Sequence, residues 1–351
     1  VDLSIMFFGA EDVADHTAKY ADVLAIARAA DELGFTAVWT PERHFQDVGQ
    51  AFPSPPVLGA AIAAVTRRIA VRAGSVVLPL HHPLRVVEDW SVLDNLSGGG
   101  RVGLSAAAGW HSADFVLAPD HYADRRQRVL DDITTIRRLW AGEAVELVDG
   151  TGGVVPVRPQ PRPASPYLPI WLTSSGSPES WTTAARLRTG LLGATVGQDP
   201  DRLAERIGHY RQEYAAAPEQ PGTGGRGTVT LMAHTYVGES DAQARRCVAE
   251  PLKRYLRTHV RQSASNRAGE RGRTVAALSE ADVTTMTEFA FERYLSWGSL
   301  IGSPGTCAKA LAGLREMGCD EVTCFVDFGL ERHDVLASLG RLAELKEQVA
   351  A

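Results

Sequence analysis

The chain has 351 residues, 44% of them hydrophobic and 22% charged, and 36 Lys and Arg against 42 Asp and Glu leave a formal charge of −6. That mild acidity argues against a dedicated nucleic-acid binder, which shows a basic excess, and no apolar run approaches the roughly 20 residues needed to span a bilayer. The length suits two or three domains, or one α/β barrel of about 250 residues with about 100 residues of insertions.

Residues 3–8 form a strand-like run with no basic leader, which predicts no secretion signal. A first residue of Val is expected of a chain trimmed or excised from something longer. The cysteines at 247, 307, 319 and 324 are spaced too irregularly for a disulfide framework or a zinc knuckle. They are expected to be reduced core thiols in a cytoplasmic protein.

Short apolar runs alternate with amphipathic stretches along the chain, the pattern of a parallel α/β fold. A strand at 3–8 is followed by a helix over 20–33 that Gly34 stops, then a strand at 37–40. The loop 41–56 carries Glu42, Arg43, His44 and Phe45 and leads to a helix over 57–66. A strand at 69–78 precedes a helix at 84–96, and a strand at 102–107 precedes Gly109-Trp110-His111 and a helix at 125–140.

The stretch 143–169 breaks the alternation with glycines and prolines, as a surface hairpin and connector would. Strands at 170–173, 191–194 and 228–237 follow, with helices from 180 and over 200–215. The stretch 242–297 reads as a mostly helical insertion with a polar gap at 262–273. A strand at 322–326 and a helix at 334–349 close the chain. Eight strands with intervening helices predict a (β/α)8 TIM barrel with insertions around 143–169 and 242–297, in one domain spanning 1–351.

Active sites of such barrels lie at the C-terminal ends of the strands, which selects a few loops. His44 beside Glu42 and Arg43 is a candidate for proton transfer, the alternative being a loop histidine bonded to a backbone carbonyl. His81-His82 ahead of Pro83 reads as a helix cap or a solvated pair. Gly109-Trp110-His111 suits either a turn with a core tryptophan or the face of a planar cofactor.

The run from Thr173 through Ser174-Ser175-Gly176-Ser177 to Pro178 passes from strand to helix. Free backbone N–H groups at a helix N-terminus bind phosphate without lysine, although a plain serine N-cap gives the same residues. No His-Glu-x-x-His is present, so no metal site is expected. P-loop, Rossmann and serine-elbow motifs are likewise missing from the sequence.

These pieces together resemble the bacterial luciferase-like, flavin-dependent monooxygenases. The resemblance is carried by Glu32-Leu33-Gly34-Phe35 through Trp39, Glu42-Arg43-His44-Phe45, Ala73-Gly74-Ser75-Val76-Val77-Leu78-Pro79, and Asp94-Asn95-Leu96-Ser97. Further pieces are Gly109-Trp110-His111, the 174–178 loop and Ile301-Gly302-Ser303-Pro304-Gly305-Thr306. Within that family the chain most resembles the luciferase-like domains of polyketide and nonribosomal peptide biosynthesis, which share a late Asp-Phe-Gly, here Asp327-Phe328-Gly329.

The resemblance implies FMN at the barrel mouth, delivered in reduced form by a separate flavin reductase. With O2 as co-substrate it would form a C4a-hydroperoxide that oxygenates a small-molecule or carrier-tethered intermediate. By position Ser174, Ser175, Gly176 and Ser177 would hold the FMN phosphate, and Gly109, Trp110 and His111 would line the ring or ribityl chain. Gly74-Ser75 matches a place where the family often has a cis peptide against the isoalloxazine. His44, Glu42, Arg43 and His111 would be the catalytic candidates.

Arg43 stands where luciferase has the first of two histidines, so bioluminescence is not expected; separately, Ala108 stands in place of its phosphate arginine. An F420-dependent hydride-transfer enzyme and a flavin-free, non-catalytic subunit are the alternatives. A homodimer is expected from the resemblance alone.

Overall fold

In the computed structural model, which describes residues 1–9, 15–45, 51–174, 176–220, 223, 225–270 and 279–350, the strands run in parallel around a closed ring. Four come first: β1 Asp2–Met6, β2 Ala37–Thr40, β3 Ala70–Val77 and β4 Val102–Ala107. An antiparallel hairpin, β5 Val145–Val148 with β6 Val154–Val157, stands outside the ring. The ring resumes with β7 Ile170–Thr173, β8 Gly190–Ala194, β9 Val229–Val237 and β11 Glu321–Phe325. Between the last two, β10 Leu300–Gly302 pairs with the far end of β9. Because β11 pairs with both β9 and β1, and β8 with β9, eight strands close on themselves with no free edge.

The helices are α1 His16–Glu32, α2 Pro55–Val65, α3 Pro83–Leu96, α4 Arg125–Ala141 and α5 Pro178–Arg186, then α6 Pro200–Ala216, α7 Asp241–Glu270, α8 Glu280–Ser296, α9 Pro304–Glu316 and α10 Arg332–Ala350. Their limits are written locally. Asp15 accepts the Thr17 and Ala18 N–H groups at the start of α1, and α2, α3, α5, α6 and α9 each open on Pro, which has no N–H to leave unpaired. Past the end of α1, Gly34 takes φ +76, a conformation that favours glycine. Asp31 near that end accepts the N–H groups of Arg67, Arg68 and Ile69 at 2.7–2.8 Å, which fixes α1 to the entry of β3.

Burial on both faces explains why the strands read as unbroken apolar runs; all four residues of β2 are buried. The lower barrel is filled by a polar plug among aromatic rings. Glu321 accepts from Arg72 Nη1 at 2.8 Å, Ser4 Oγ at 2.6 Å and Trp39 Nε1 at 3.1 Å. The Arg72 guanidinium lies 5.0 Å from the Trp39 ring and 4.6 Å from the Trp171 ring. The barrel is therefore solid below its mouth, and any ligand must sit at the rim.

Two expectations are corrected. The polar gap at 262–273 is helical through Glu270, because α7 runs on to that residue, and 271–273 lie outside the described residues. β10, three residues long and paired only to β9 Thr235–Val237, is too short to show a period of two. The four cysteines are free thiols, with Cys307, Cys319 and Cys324 buried. No described helix is long and apolar enough to cross a membrane.

Candidate active site

A cavity of about 430 Å³ opens at the C-terminal ends of the barrel strands, a size typical of small-molecule sites. Its floor is made of strand-end residues with almost no side chain: Gly74 and Ser75 of β3, Ala107 of β4, Gly193 and Ala194 of β8. The Gly74–Ser75 peptide is cis, and the pairing of β3 with β4 is irregular between Gly74 and Val76. A Cβ on Gly74 would stand 2.8 Å from Met6 Cε and 3.1 Å from the Trp39 ring, so the plug below leaves no room for a side chain there. Ser75 Oγ hydrogen-bonds Thr173 Oγ1, which also meets Ser105 Oγ at 2.6 Å.

At one end of the cavity β2 delivers Glu42, whose side chain is fully buried. Its Oε1 accepts from His81 Nε2 at 2.6 Å and from His44 Nε2 at 2.9 Å, and its Oε2 accepts the Val77 N–H at 2.7 Å. Burial favours the neutral acid, but the hydrogen bonds from His44, His81 and Val77 and the His81 charge outweigh it, holding the Glu42 pKa below the usual range. For His81, burial opposes protonation, yet the Glu42 hydrogen bond and charge prevail and raise its pKa. The result is a buried carboxylate shared by two imidazoles, able to hold a proton; Glu42 lines the cavity, whereas His44 and His81 are not among its lining residues. Among the described residues no group of three or more His, Cys, Asp or Glu is arranged to hold a metal ion.

His81 is one of the residues that sequence reasoning missed. The expectation of a helix cap holds for His82, whose Nδ1 accepts the Leu84 N–H at 3.2 Å. His81 follows a 3₁₀ turn, Leu78–Leu80, that swings it back over β2. The signal available in the sequence was an imidazole just past the end of β3, the strand next to the one that delivers Glu42.

Arg43 points into the same cavity, with its guanidinium carbon 3.8 Å from the Phe8 ring centroid and 5.7 Å from that of Trp110. Burial presses its pKa down, and Tyr255 and Asp114 pull it back up. Asp114, in the 3₁₀ segment Ser112–Leu117, is buried and its Oδ1 has no hydrogen-bond partner. Burial raises its pKa against the pull of His111, His44 and Arg43. Gly109 turns the chain with φ +75, and a Cβ there would stand 2.9 Å from both Phe115 and Val77. This turn sets Trp110 on the cavity wall, 51% exposed, edge-on to His111 at 5.4 Å. His111 itself is not among the residues lining the cavity.

Three strands further round, β7 ends at the serine-rich loop. Ser174 is buried and lines the cavity, and its Oγ accepts the Gly176 N–H at 3.2 Å. Gly176 has φ +112, and a Cβ on it would meet Gln198 Nε2 at 2.8 Å and Arg206 Nη1 at 3.5 Å. Ser177 is the exposed N-cap of α5, with no side-chain cap bond. Ser175 lies outside the described residues. Gln198 and Arg206, joined at 2.6 Å, were not singled out from the sequence. They bring a cation and an amide to the loop from α6 and the turn before it, where Ala108 supplies none.

The cavity thus joins a floor of small strand-end residues, a serine-rich helix N-terminus beside an arginine, and a buried carboxylate held by two imidazoles. Those are the requirements of a flat, phosphorylated cofactor, and the residues present fit one. The fold and this mouth define a (β/α)8-barrel enzyme. The luciferase-like monooxygenase family matches residues 1–321, and the chain belongs to that family of flavin-dependent oxygenases.

The chain is 24% identical over 348 residues to the oxygenase component of flavin-dependent trigonelline monooxygenase from Acinetobacter baylyi, covering 96% of this chain and 92% of that one. It is 29% identical over 235 residues to 4-hydroxyprotoasukamycin monooxygenase from Streptomyces nodosus subsp. asukaensis, covering 66% and 63%. Among solved structures, monooxygenase RslO1 from Streptomyces bottropensis superposes with a TM-score of 0.78 at 23% identity over 100% of both chains. The oxygenating constituent of 3,6-diketocamphane monooxygenase from Pseudomonas putida, in complex with FMN, gives 0.76 at 18% identity over 98% and 96%. At these identities the structural likeness establishes the fold.

Proposed function

We propose that the protein is the oxygenase of a two-component monooxygenase. It takes reduced FMN from a separate flavin reductase and uses O2 to place one oxygen atom in a natural-product intermediate, free or tethered to a carrier protein. The observation that carries this reading is the single cavity that links the Ser174 loop to the Glu42 cluster across a floor of Gly74, Ser75 and Gly193. The relatives named above support it: one is an oxygenase component, and another acts on 4-hydroxyprotoasukamycin.

In this reading Ser174, Ser175, Gly176 and Ser177 hold the phosphate, assisted by Gln198 and Arg206. Gly74, Ser75, Gly109 and Trp110 flank the ring, with His111 supporting Trp110 from outside. Bound FMN supplies the electrons and the oxygen activation; the chain supplies binding, orientation and protons. Glu42 holds His44 and His81 by their Nε2 atoms, so that one imidazole can take or return a proton at its other nitrogen, Nδ1, while Phe8, Val77 and Met232 exclude water. The working form in this reading is a homodimer.

The test is mass spectrometry of candidate intermediates, free and carrier-bound, incubated with the protein, reduced FMN and ¹⁸O-labelled O2. One incorporated label per product is the expected result. Conversion that proceeds with reduced F420 and without O2 would replace this reading with hydride transfer.

A further inference from the structure

Arg43 is only 9% exposed, yet among the described residues its guanidinium makes no hydrogen bond and no ion pair. Its surroundings are the faces of Phe8 and Trp110. Aromatic faces attract a cation, but they leave the in-plane N–H groups of a guanidinium without acceptors. The neighbouring carboxylates do not supply them. Glu42 is committed to His44, His81 and the Val77 N–H, and Asp114 acts on Arg43 through space without forming an ion pair.

Arginine stays ionised in proteins, and a buried charge with no partner is costly. The free donors open onto the cavity, so the missing partner is one that the ligand brings. A planar fork is matched by a planar pair of oxygens. The donors suited to phosphate stand three strands away, at Ser174 and Gln198.

We propose that Arg43 receives a carboxylate of the organic substrate, so that the enzyme selects carboxylic acids over neutral molecules of the same shape. The proposal rests on the reading of this cavity as the site where the organic substrate binds. The apolar body of such an acid would lie along Phe8, Val77 and Trp110.

The test is calorimetric titration of the full chain, with and without FMN, using decanoate against decanamide and 4-butylbenzoate against 4-butylbenzamide. Wild type is expected to bind each acid at least about tenfold more tightly than its amide, a difference of about 1.4 kcal/mol. Arg43→Met should abolish the preference and leave the FMN Kd within about threefold, and Arg43→Lys should keep part of it. Equal binding of acid and amide by wild type overturns the proposal, as does a preference that survives in Arg43→Met. So does a tenfold loss of FMN affinity in Arg43→Met, which would assign Arg43 to the cofactor. If Arg43→Met does not fold, the wild-type pairs and Arg43→Lys decide. A wild type that prefers acids but binds no FMN would sink the flavin reading and leave this one standing.

Discussion

His81 Nε2 and His44 Nε2 meet on the same oxygen of Glu42, at 2.6 and 2.9 Å. The carboxylate comes from the end of β2, one histidine follows it by two residues, and the other is 39 residues away. Neither imidazole can turn without losing its hydrogen bond to Glu42, so Glu42 fixes the direction of both.

Glu42→Gln should therefore impair catalysis more than cofactor binding. An amide can donate to one imidazole nitrogen and accept from the other, but it cannot stabilise His81 as a cation. We expect kcat to fall by about 10²–10⁴-fold, the usual reach of positioned acid–base groups, with the FMN Kd changed by less than about threefold. His44→Ala should behave alike. Equal turnover in wild type and His44→Ala would remove His44 from the mechanism.

The same pair makes a pH-dependent contribution to stability. The lowered Glu42 pKa stabilises the fold above the ordinary glutamate value and is lost as pH falls through the folded value. The raised His81 pKa stabilises the fold below the ordinary histidine value and is lost as pH rises through the folded value. Both are fully present only between about pH 4.3 and 6.5. The stability advantage of wild type over Glu42→Gln, measured by urea denaturation, should peak in that window at about 1–3 kcal/mol and shrink on either side. An advantage that keeps growing above pH 8 would contradict this assignment.

Gly109→Ala should disturb the wall of the site. The new methyl would enter a space where Phe115 and Val77 stand at 2.9 Å, on a backbone with φ +75. A cost of about 2–4 kcal/mol follows from left-handed strain together with overpacking. Because Trp110 moves with the turn, flavin affinity should fall alongside the melting temperature. Unchanged FMN binding in a destabilised Gly109→Ala would detach this turn from the cofactor.

At the other end of the cavity, Ser174→Ala and Arg206→Met should each raise the FMN Kd by about tenfold or more, since hydrogen bonds to charged groups contribute about 1.5–3 kcal/mol. Riboflavin, which has no phosphate, should bind the variants and wild type alike. A loss that is equal for riboflavin and FMN would show that these residues shape the loop and do not contact the phosphate.

The ring of strands was legible because each barrel strand is buried on both faces and reads as a short apolar run, and because Gly34 and the helix-opening prolines mark the turns. β10 and the full reach of α7 were not, since one is three residues long and the other continues through residues of polar character. The site was legible where its residues are neighbours in sequence, as in Glu42-Arg43-His44 and Gly109-Trp110. It was hidden where the fold joins distant segments. Nothing local to His81 shows that a 3₁₀ turn returns it to Glu42, and nothing local to Arg206 shows that α6 lies against Gly176. That the Arg43 guanidinium makes no hydrogen bond among the described residues is likewise a property of packing, visible only once Phe8 and Trp110 are seen beside it.

The most direct test of the central claim is an anaerobic titration of the purified chain with reduced FMN, followed by flavin fluorescence, beside a parallel titration with reduced F420. The account predicts saturable binding of one reduced FMN per chain in the micromolar range, weakened by Ser174→Ala, and no comparable binding of F420. Saturable binding of F420 alone, or of neither cofactor, would contradict it.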